Sequence, residues 1–356
     1  MRYVNSVERA AGYALACRIY PLSDLTVAAE EPCTIDTRRK QSNTNNVEKT
    51  MALTGVLRPG LIQIRVLDMA AAQKHYVDRV GLDFVGEEAD GRVYLKAYDE
   101  FDRHSVVLRE ADEAGCDMMA FRVARSADLD VFARRIADYG YDVFRVAAGE
   151  QPGVGPRIGT LLPSGHRIEF FAEIEMATKH PPIVNPDIWD DEPRGMRPIR
   201  FDHALFYGPH IDEVQDFFET ALDFRCAEKL ILPDGLLATW LTCGTKAHDI
   251  AFVKHAEPGK FHHVSFYLED WNTVGHAADL ISRYNISLDI GPTRHGITRG
   301  TTIYFFDPSG NRNEVFAGGY TYYPTDPTRV WDEREMGKSI FYYEKQLNER
   351  FLTVLT

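Results

Sequence analysis

From Arg58 onward the chain repeats itself, and this repeat limits the possible folds more than any other feature. Arg58-Pro-Gly-Leu-Ile-Gln63-Ile-Arg-Val opens one copy, and Arg197-Pro-Ile-Arg-Phe-Asp-His203-Ala-Leu opens the other. Each reads as an alternating strand followed by a helical segment, and the helices end alike in Gly81-Leu-Asp-Phe84 and Ala221-Leu-Asp-Phe224. Near the ends of the copies, Pro163-Ser-Gly-His-Arg-Ile-Glu169-Phe matches Pro308-Ser-Gly-Asn-Arg-Asn-Glu314-Val. Both are a turn opened by Pro and Gly, then a strand carrying a glutamate. Met176 to Pro198 holds five prolines and several acids and reads as a linker.

Within each half the pattern is a strand, an amphipathic helix and several strands, then the same again. In the second half, strand Phe201–Tyr207 leads to a helix over Ile211–Leu222 with Val214, Phe217, Phe218 and Leu222 as its apolar face. Strand His262–Leu268 leads to a helix over Trp271–Arg283 with Val274, Ala277, Ala278 and Ile281 as its stripe. The expected fold class is α+β, two domains each of two βαβββ modules. The N-terminal domain covers 51–175, the linker 176–198, the C-terminal domain 199–320 and a tail 321–356. In the tail, Ile340, Tyr343 and Leu347 fall at helical spacing and predict one long helix from Asp332 to Phe351.

The 356 residues carry 40 Lys+Arg against 53 Asp+Glu, a net charge of -13. An acidic chain without a basic stripe repels phosphate backbones and acidic lipid surfaces, so neither nucleic acid nor membrane is an expected partner. No run approaches the roughly 20 apolar residues of a membrane span. The five cysteines are scattered without a CxxC pair. That argues against a disulfide framework or a thiolate zinc site and for a reducing cytoplasm. Residues 1–50 differ from the rest, with 7 Lys+Arg against 6 Asp+Glu and an Asn-rich polar run from Arg38 to Lys49. They read as a translated leader or a disordered segment, with Met51 as the natural start. The run Ala10–Cys17 is too short and too interrupted by Gly12 and Tyr13 to serve as an export signal.

Eight of the twelve histidines (203, 210, 248, 255, 262, 263, 276 and 295) lie in the second half of the body. Aligning the copies places His203 on Gln63, His263 on Met118 and Glu314 on Glu169. One half therefore has two imidazoles and a carboxylate at corresponding strand positions where the other keeps only the carboxylate, which predicts one live metal site and one vestigial one. Two imidazoles and a carboxylate on one face suit Fe(II), with the opposite face open to substrate and dioxygen. Zinc held by two His and a Glu is the competing assignment. On strict strand alternation His262 points away from His263, and parity alone leaves open which of them ligates.

The segment His295-Gly-Ile-Thr-Arg-Gly-Thr-Thr-Ile303-Tyr304-Phe-Phe-Asp307-Pro308-Ser-Gly310-Asn-Arg-Asn-Glu314 resembles the signature of type I extradiol ring-cleavage dioxygenases of the vicinal oxygen chelate superfamily. Arg200-Phe-Asp-His203, Thr245-Lys-Ala-His248-Asp and Phe261-His-His263-Val extend the resemblance to the catechol 2,3-dioxygenases, over Leu53 to Thr356. It implies His203, His263 and Glu314 as ligands of Fe(II). It implies His248 as base and later acid toward the substrate, with His295 and Tyr304 hydrogen-bonding the substrate oxygens. Trp240, Ile297, Thr298, Ile340 and Phe351 match pocket-lining places. The implied reaction is meta cleavage of catechol by O2 to 2-hydroxymuconate semialdehyde, in a cytoplasmic homotetramer of aromatic catabolism. The same architecture also serves isomerases and drug-binding proteins, so the fold does not choose the function. A dioxygenase for bicyclic diols is a further alternative within the class.

Overall fold

The structure, a computed structural model, describes residues 55–189 and 191–356. The expectations for residues 1–50 and for Met51 lie outside the described residues. The first half forms one sheet from β1 (Val56–Val66), β2 (Asp83–Glu87), β3 (Val93–Lys96), β4 (Val106–Glu110), β5 (Gly115–Val123), β6 (Phe144–Val146), β7 (Arg157–Leu161) and β8 (Arg167–Phe171). Its spatial order is β2-β3-β4-β1-β5-β8-β7-β6, two mirrored four-strand modules joined through β1 and β5. The second half repeats this with β9 (Arg200–Gly208), β10 (Arg225–Leu232), β11 (Gly235–Thr242), β12 (Ile250–Lys254), β13 (Lys260–Tyr267), β14 (Leu288–Arg294), β15 (Gly300–Phe306) and β16 (Arg312–Gly318). A ninth strand, β17 (Arg329–Asp332), comes from the tail and pairs in parallel with β10. The expected α+β fold of paired βαβββ modules is the one observed. Among the described residues no helix is long and apolar enough to cross a membrane.

The helices form where apolar residues recur at helical spacing, and they cover one face of each sheet. Helix α1 (Met69–Gln73) runs into a π-helical turn over Lys74–Val80, and α2 (Ser126–Tyr139) is the other helix of the first half. In the second half α3 (Ile211–Ala221) buries Val214, Phe217, Phe218 and Ala221, and α4 (Trp271–Arg283) starts where the Asp270 side chain accepts a hydrogen bond from Thr273 N at 2.9 Å. Each such buried Phe or Val is worth about 1.5–3 kcal/mol in apolar transfer. Alternation along the strands then divides each sheet. Ala204, Phe206, Val264, Phe266, Ile303, Phe305 and Val315 enter the core with the helices. The residues between them face the other way, and that opposite face carries the polar chemistry.

The two halves meet through their repeated Pro-Ser-Gly turns. Ser309 Oγ accepts from Leu67 N at 2.9 Å, and Asn311 Nδ2 donates to the Arg65 carbonyl at 2.9 Å. On the pseudo-symmetric side the Ser164 carbonyl accepts from Gly259 N, and His166 Nε2 donates to the Lys260 carbonyl at 3.0 Å. Asn313, on the helix-side face of β16, hydrogen-bonds His75 at 2.8 Å and Tyr76 at 3.0 Å.

Strand register corrects one sequence expectation. In the second half Glu314 pairs with Ser265, which pairs with His203. The same ladder in the first half runs Glu169, Ala120, Leu61. The counterpart of His203 is therefore Leu61, not Gln63, because the second copy has three more residues than the first between its Arg-Pro pair and this ladder, so counting from that pair overshoots. Leu61 packs with Met118, Ala120, Val154 and Phe171 in an apolar cluster that fills the vestigial site. Arg157 stands where Thr302 does in the other half, each opposite a phenylalanine, Phe171 and Phe316. Its guanidinium lies 2.7 Å from Glu169, both side chains being buried.

A second correction concerns the tail. The long helix expected from Asp332 to Phe351 is instead β17, a 3-10 turn, α5 (Met336–Ile340), a non-helical stretch and α6 (Glu349–Thr353). Lys345 has φ 54 and breaks the path, and the Asn348 side chain caps a new helix by accepting from Arg350 N at 2.9 Å. Ile340 and Leu347 turn inward while Tyr343 is exposed.

Arg157 carries the charge balance of the filled site, which gives a test. Replacing it (Arg157→Ala) strands Glu169 among apolar groups and is expected to cost about 3–5 kcal/mol of stability in urea unfolding. Metal content at the other half should not change. A variant as stable as the parent would show that Arg167, also paired with Glu169, suffices.

Candidate metal centre

His203 leaves the middle of β9, His263 leaves β13 and Glu314 leaves β16, three adjacent strands of the sheet whose register brings them together. One ligand atom from each lies within 4.8 Å of the others. His203 Nε2 is 2.9 Å and His263 Nε2 3.4 Å from Glu314 Oε2. All three side chains are buried.

The hydrogen bonds behind the imidazoles fix which nitrogen is bare. His203 Nδ1 donates to Asp202 Oδ2 at 3.0 Å, and Asp202 is held in turn by Lys246 at 3.0 Å. A carboxylate only accepts, so the proton of the neutral ring sits on Nδ1 and Nε2 presents a lone pair. For His263 the relay is longer. His262 Nε2 donates to the Phe351 carbonyl at 2.8 Å, which leaves His262 Nδ1 as an acceptor. His263 Nδ1 donates to it at 2.7 Å, so His263 Nε2 is also bare. His263 Nε2 and Glu314 Oε2 are buried atoms without hydrogen-bond partners. Two bare imidazole nitrogens and a free carboxylate oxygen aimed at one point are a donor set for a divalent cation, and the residues fit Fe(II) or a similar ion.

Electrostatics agree with this arrangement. Burial raises the Glu314 carboxyl, but the neighbouring imidazoles of His203, His263 and His295 outweigh it and hold the group well below the usual carboxylate range. Burial lowers His263 to about 4, so its ring is neutral. For His203 burial again lowers, but the two carboxylates Asp202 and Glu314 prevail and raise it, so this place favours a positive charge, carried by a ring proton or supplied by a bound cation. His248 packs its ring 4.0 Å from that of His203 between centroids. Burial, then His203 and Lys246, pushes it well below its ordinary value, so it is neutral and able to accept a proton.

His295 Nδ1 donates to the Ile340 carbonyl, and its Nε2 lies 2.7 Å from the Tyr304 hydroxyl. Thr302 Oγ1 donates to Glu314 Oε1 at 2.6 Å, which leaves Oε2 to face the histidines. One cavity is lined by the metal-ligand candidates, by His248, His295 and Tyr304, and by Trp240, Ile297, Thr298, Ile340 and Phe351. The structure thus gathers all eleven sequence-selected residues into one place. Leu205, Leu347 and Met336 add apolar wall that the sequence reading omitted.

His262 requires a correction. Strict alternation sends it to the opposite face, but Phe261 pairs with Phe206 and His263 with Leu205, so His262 is the extra residue of a β-bulge. The bulge turns its ring toward the cavity, where it backs His263. Asp117 is its counterpart in the first half, where Gln63 pairs with Met118 and Ile64 with Cys116. The role of Asp202 was open to a sequence signal, the Asp-His pair on one strand. The bulge had none.

Comparisons with known proteins give the family of the chain. Residues 116–175 match a family described as the catechol 2,3-dioxygenase-like N-terminal domain, and residues 200–315 match the glyoxalase/bleomycin resistance protein/dioxygenase superfamily. The metapyrocatechase of Pseudomonas sp. (strain CF600) is 49% identical over 305 residues, covering 85% of this chain and 99% of that protein. The manganese-dependent 2,3-dihydroxybiphenyl 1,2-dioxygenase of Geobacillus genomosp. 3 is 28% identical over 76% of this chain and 88% of its own. Among solved structures, a 2,3-dioxygenase from Pseudomonas sp. KL28 superposes with a TM-score of 0.77 at 44% identity, covering 80% of this chain and 99% of that one. Homoprotocatechuate 2,3-dioxygenase from Arthrobacter globiformis superposes with a TM-score of 0.76 at 25% identity, covering 85% and 92%. The chain is an enzyme of the vicinal oxygen chelate superfamily and, within it, belongs to the metapyrocatechase (catechol 2,3-dioxygenase) family of extradiol dioxygenases.

The ligand geometry predicts that His203→Ala, His263→Ala and Glu314→Ala each lose bound metal by elemental analysis while remaining folded by circular dichroism. A metal-replete variant would sink the assignment. His262→Leu removes the acceptor behind His263 and is expected to weaken metal affinity about 10- to 100-fold in a chelator competition.

Proposed function

We propose that the chain catalyses extradiol cleavage of catechol and substituted catechols by O2 to 2-hydroxymuconate semialdehyde at a mononuclear non-heme Fe(II). His203, His263 and Glu314 hold the metal, and the enzyme works as a cytoplasmic homotetramer. The observation that carries this reading is the convergence of His203 Nε2, His263 Nε2 and Glu314 Oε2 on one point of an apolar cavity ringed by His248, His295 and Tyr304. A metal bound there supplies Lewis-acid activation of the diol and an electron path between diol and dioxygen.

The chain's own residues do the rest. His248 Nε2 or Nδ1, neutral in its dry surroundings, takes a proton from a catechol hydroxyl and later returns one. The His295–Tyr304 pair, anchored through His295 Nδ1 to the Ile340 carbonyl, orients the substrate oxygens. Trp240, Ile297, Ile340 and Phe351 exclude water and leave room for a flat apolar ring. In the net reaction both oxygen atoms of O2 enter the product as the carbon–carbon bond beside the diol breaks, and no further reductant is consumed. An isomerase or ligand-binding protein of the superfamily has no evident use for His248, His295 and Tyr304 around the metal. The relative described as acting on 2,3-dihydroxybiphenyl keeps a bicyclic diol as the second reading.

Anaerobically purified, Fe(II)-loaded protein mixed with catechol and air is expected to turn yellow and to take up one O2 per catechol. Metal-loaded protein that does neither would favour an isomerase or binder. Loading with Mn(II) in parallel checks the metal, since turnover with Mn(II) alone would overturn Fe(II). His248→Asn should retain iron and slow ring cleavage by about 10²- to 10⁴-fold. Turnover at the parent rate would remove His248 from the mechanism.

A further inference from the structure

Behind the wall of the metal-site cavity lies a second chamber, lined by Arg294, Arg299, Arg329, Glu228, Trp331 and the outer edge of His295. His295 also lines the inner cavity, so one side chain separates the two spaces. The rest of the partition is the segment from Gly296 to Arg299. Thr298 (φ 52) and Arg299 (φ 62) both occupy the left-handed region, an unfavourable conformation for consecutive non-glycine residues. Gly296 N and Ile297 N donate to the Ser339 carbonyl at 2.9 and 2.8 Å, and a buried carboxylate holds the next residue. The buried Glu228 carboxylate accepts from Thr298 N at 2.7 Å and from Trp331 Nε1 at 2.7 Å.

The charge on the two sides differs sharply. The inner cavity is walled by Leu205, Leu237, Val253, Ile297 and similar groups. The outer chamber has three guanidinium groups against one carboxylate. None of the three arginines makes an ion pair with a carboxylate among the described residues. Arg294 Nη1 donates only to the Arg299 carbonyl at 2.8 Å. Arg329 lies over the Tyr320 ring at 3.5 Å from the centroid, and its buried Nη1 has no hydrogen-bond partner. Three guanidinium groups facing a single carboxylate leave the cleft with an excess of positive charge that favours an anionic ligand, and a guanidinium suits a carboxylate in particular.

The reaction changes the charge of its ligand in the matching sense, an argument that rests on the ring-cleavage reading above. Catechol enters as a neutral diol. Insertion of O2 and rupture of the carbon–carbon bond convert one diol carbon into a carboxyl group, which is ionised at neutral pH. An ion is poorly accommodated among aliphatic walls, so the product is driven out of the cavity that held the substrate well. We propose that Arg294, Arg299 and Arg329 form a binding chamber for the product carboxylate, which it reaches past His295 and the 296–299 segment on its way to solvent.

The test is product inhibition of the Fe(II)-loaded enzyme, read as O2 uptake while catechol and added 2-hydroxymuconate semialdehyde are both varied. A chamber distinct from the catechol cavity predicts mixed inhibition, with kcat lowered as well as KM raised, because the product then coexists with the next catechol. In Arg294→Gln/Arg329→Gln the inhibition constant for the kcat effect should rise at least tenfold. Arg299→Gln alters an exposed side chain and guards against a folding failure of the double variant; it should shift the same constant in the same direction. Purely competitive inhibition of the parent, or an unchanged constant in both variants, would overturn the chamber while leaving ring cleavage intact. Absence of O2 uptake with catechol would overturn the ring-cleavage reading and the chamber together.

Discussion

A buried carboxylate facing two imidazole nitrogens is expensive to hold together, since Glu314 Oε2 and His263 Nε2 are buried without hydrogen-bond partners. Much of the second half of the chain serves to keep this arrangement in place. The sheet sets the spacing, because Glu314, Ser265 and His203 lie on one ladder of adjacent strands. Thr302 engages the other carboxylate oxygen. Asp202 with Lys246, and His262 with the Phe351 carbonyl, take the Nδ1 protons, so that a neutral ring at either place turns a bare Nε2 toward the carboxylate. A cation at the centre satisfies all three atoms at once, and the surrounding hydrogen bonds make sense as its support.

The first half of the chain shows another solution to the same problem. It keeps the carboxylate, Glu169, on the equivalent ladder, and it keeps a histidine, His104, two residues before β4 as His248 stands two residues before β12. With Leu61 and Met118 in place of the imidazoles there are no nitrogen donors, and the carboxylate is balanced by the guanidinium of Arg157. Tyr304 also has no side-chain counterpart there. Gly159 occupies its position opposite the glutamate, and the Phe144 ring fills the space a side chain would need. The substitutions are coordinated, in that loss of the metal's charge, of its donors and of the pocket beside it have each been compensated by a different residue.

This difference explains what the sequence made legible. The repeat, the module pattern and the ligand set follow from residue type and spacing, since strand alternation and helical periodicity leave direct marks on a sequence. Register does not. Aligning the two copies from their Arg-Pro pairs places His203 on Gln63, whereas the ladder assigns Leu61. The role of His262 depends on a β-bulge, a backbone event that the residues Phe-His-His-Val do not announce. The vestigial site was visible as a loss of histidines, but its filling by Arg157 depended on strand pairing across the sheet.

The tail is the clearest case of tertiary demand overriding local pattern. Ile340, Tyr343 and Leu347 satisfy helical spacing, and a continuous helix would satisfy its own carbonyls. The observed break ends α5 at Ile340, whose carbonyl then accepts from His295, and it starts the short α6, whose Phe351 carbonyl accepts from His262. Helix ends leave such carbonyls without intrahelical partners, and here two of them are used to orient histidines. The seating is tight enough that a Cβ at Gly296 would collide with the Lys338 carbonyl, which accounts for the glycine directly after His295. Phe341 and Phe351 close on Tyr304 from the same segment. A single long helix could line the cavity, but it would keep its carbonyls bonded to itself and leave both histidines without the acceptors that set their tautomers.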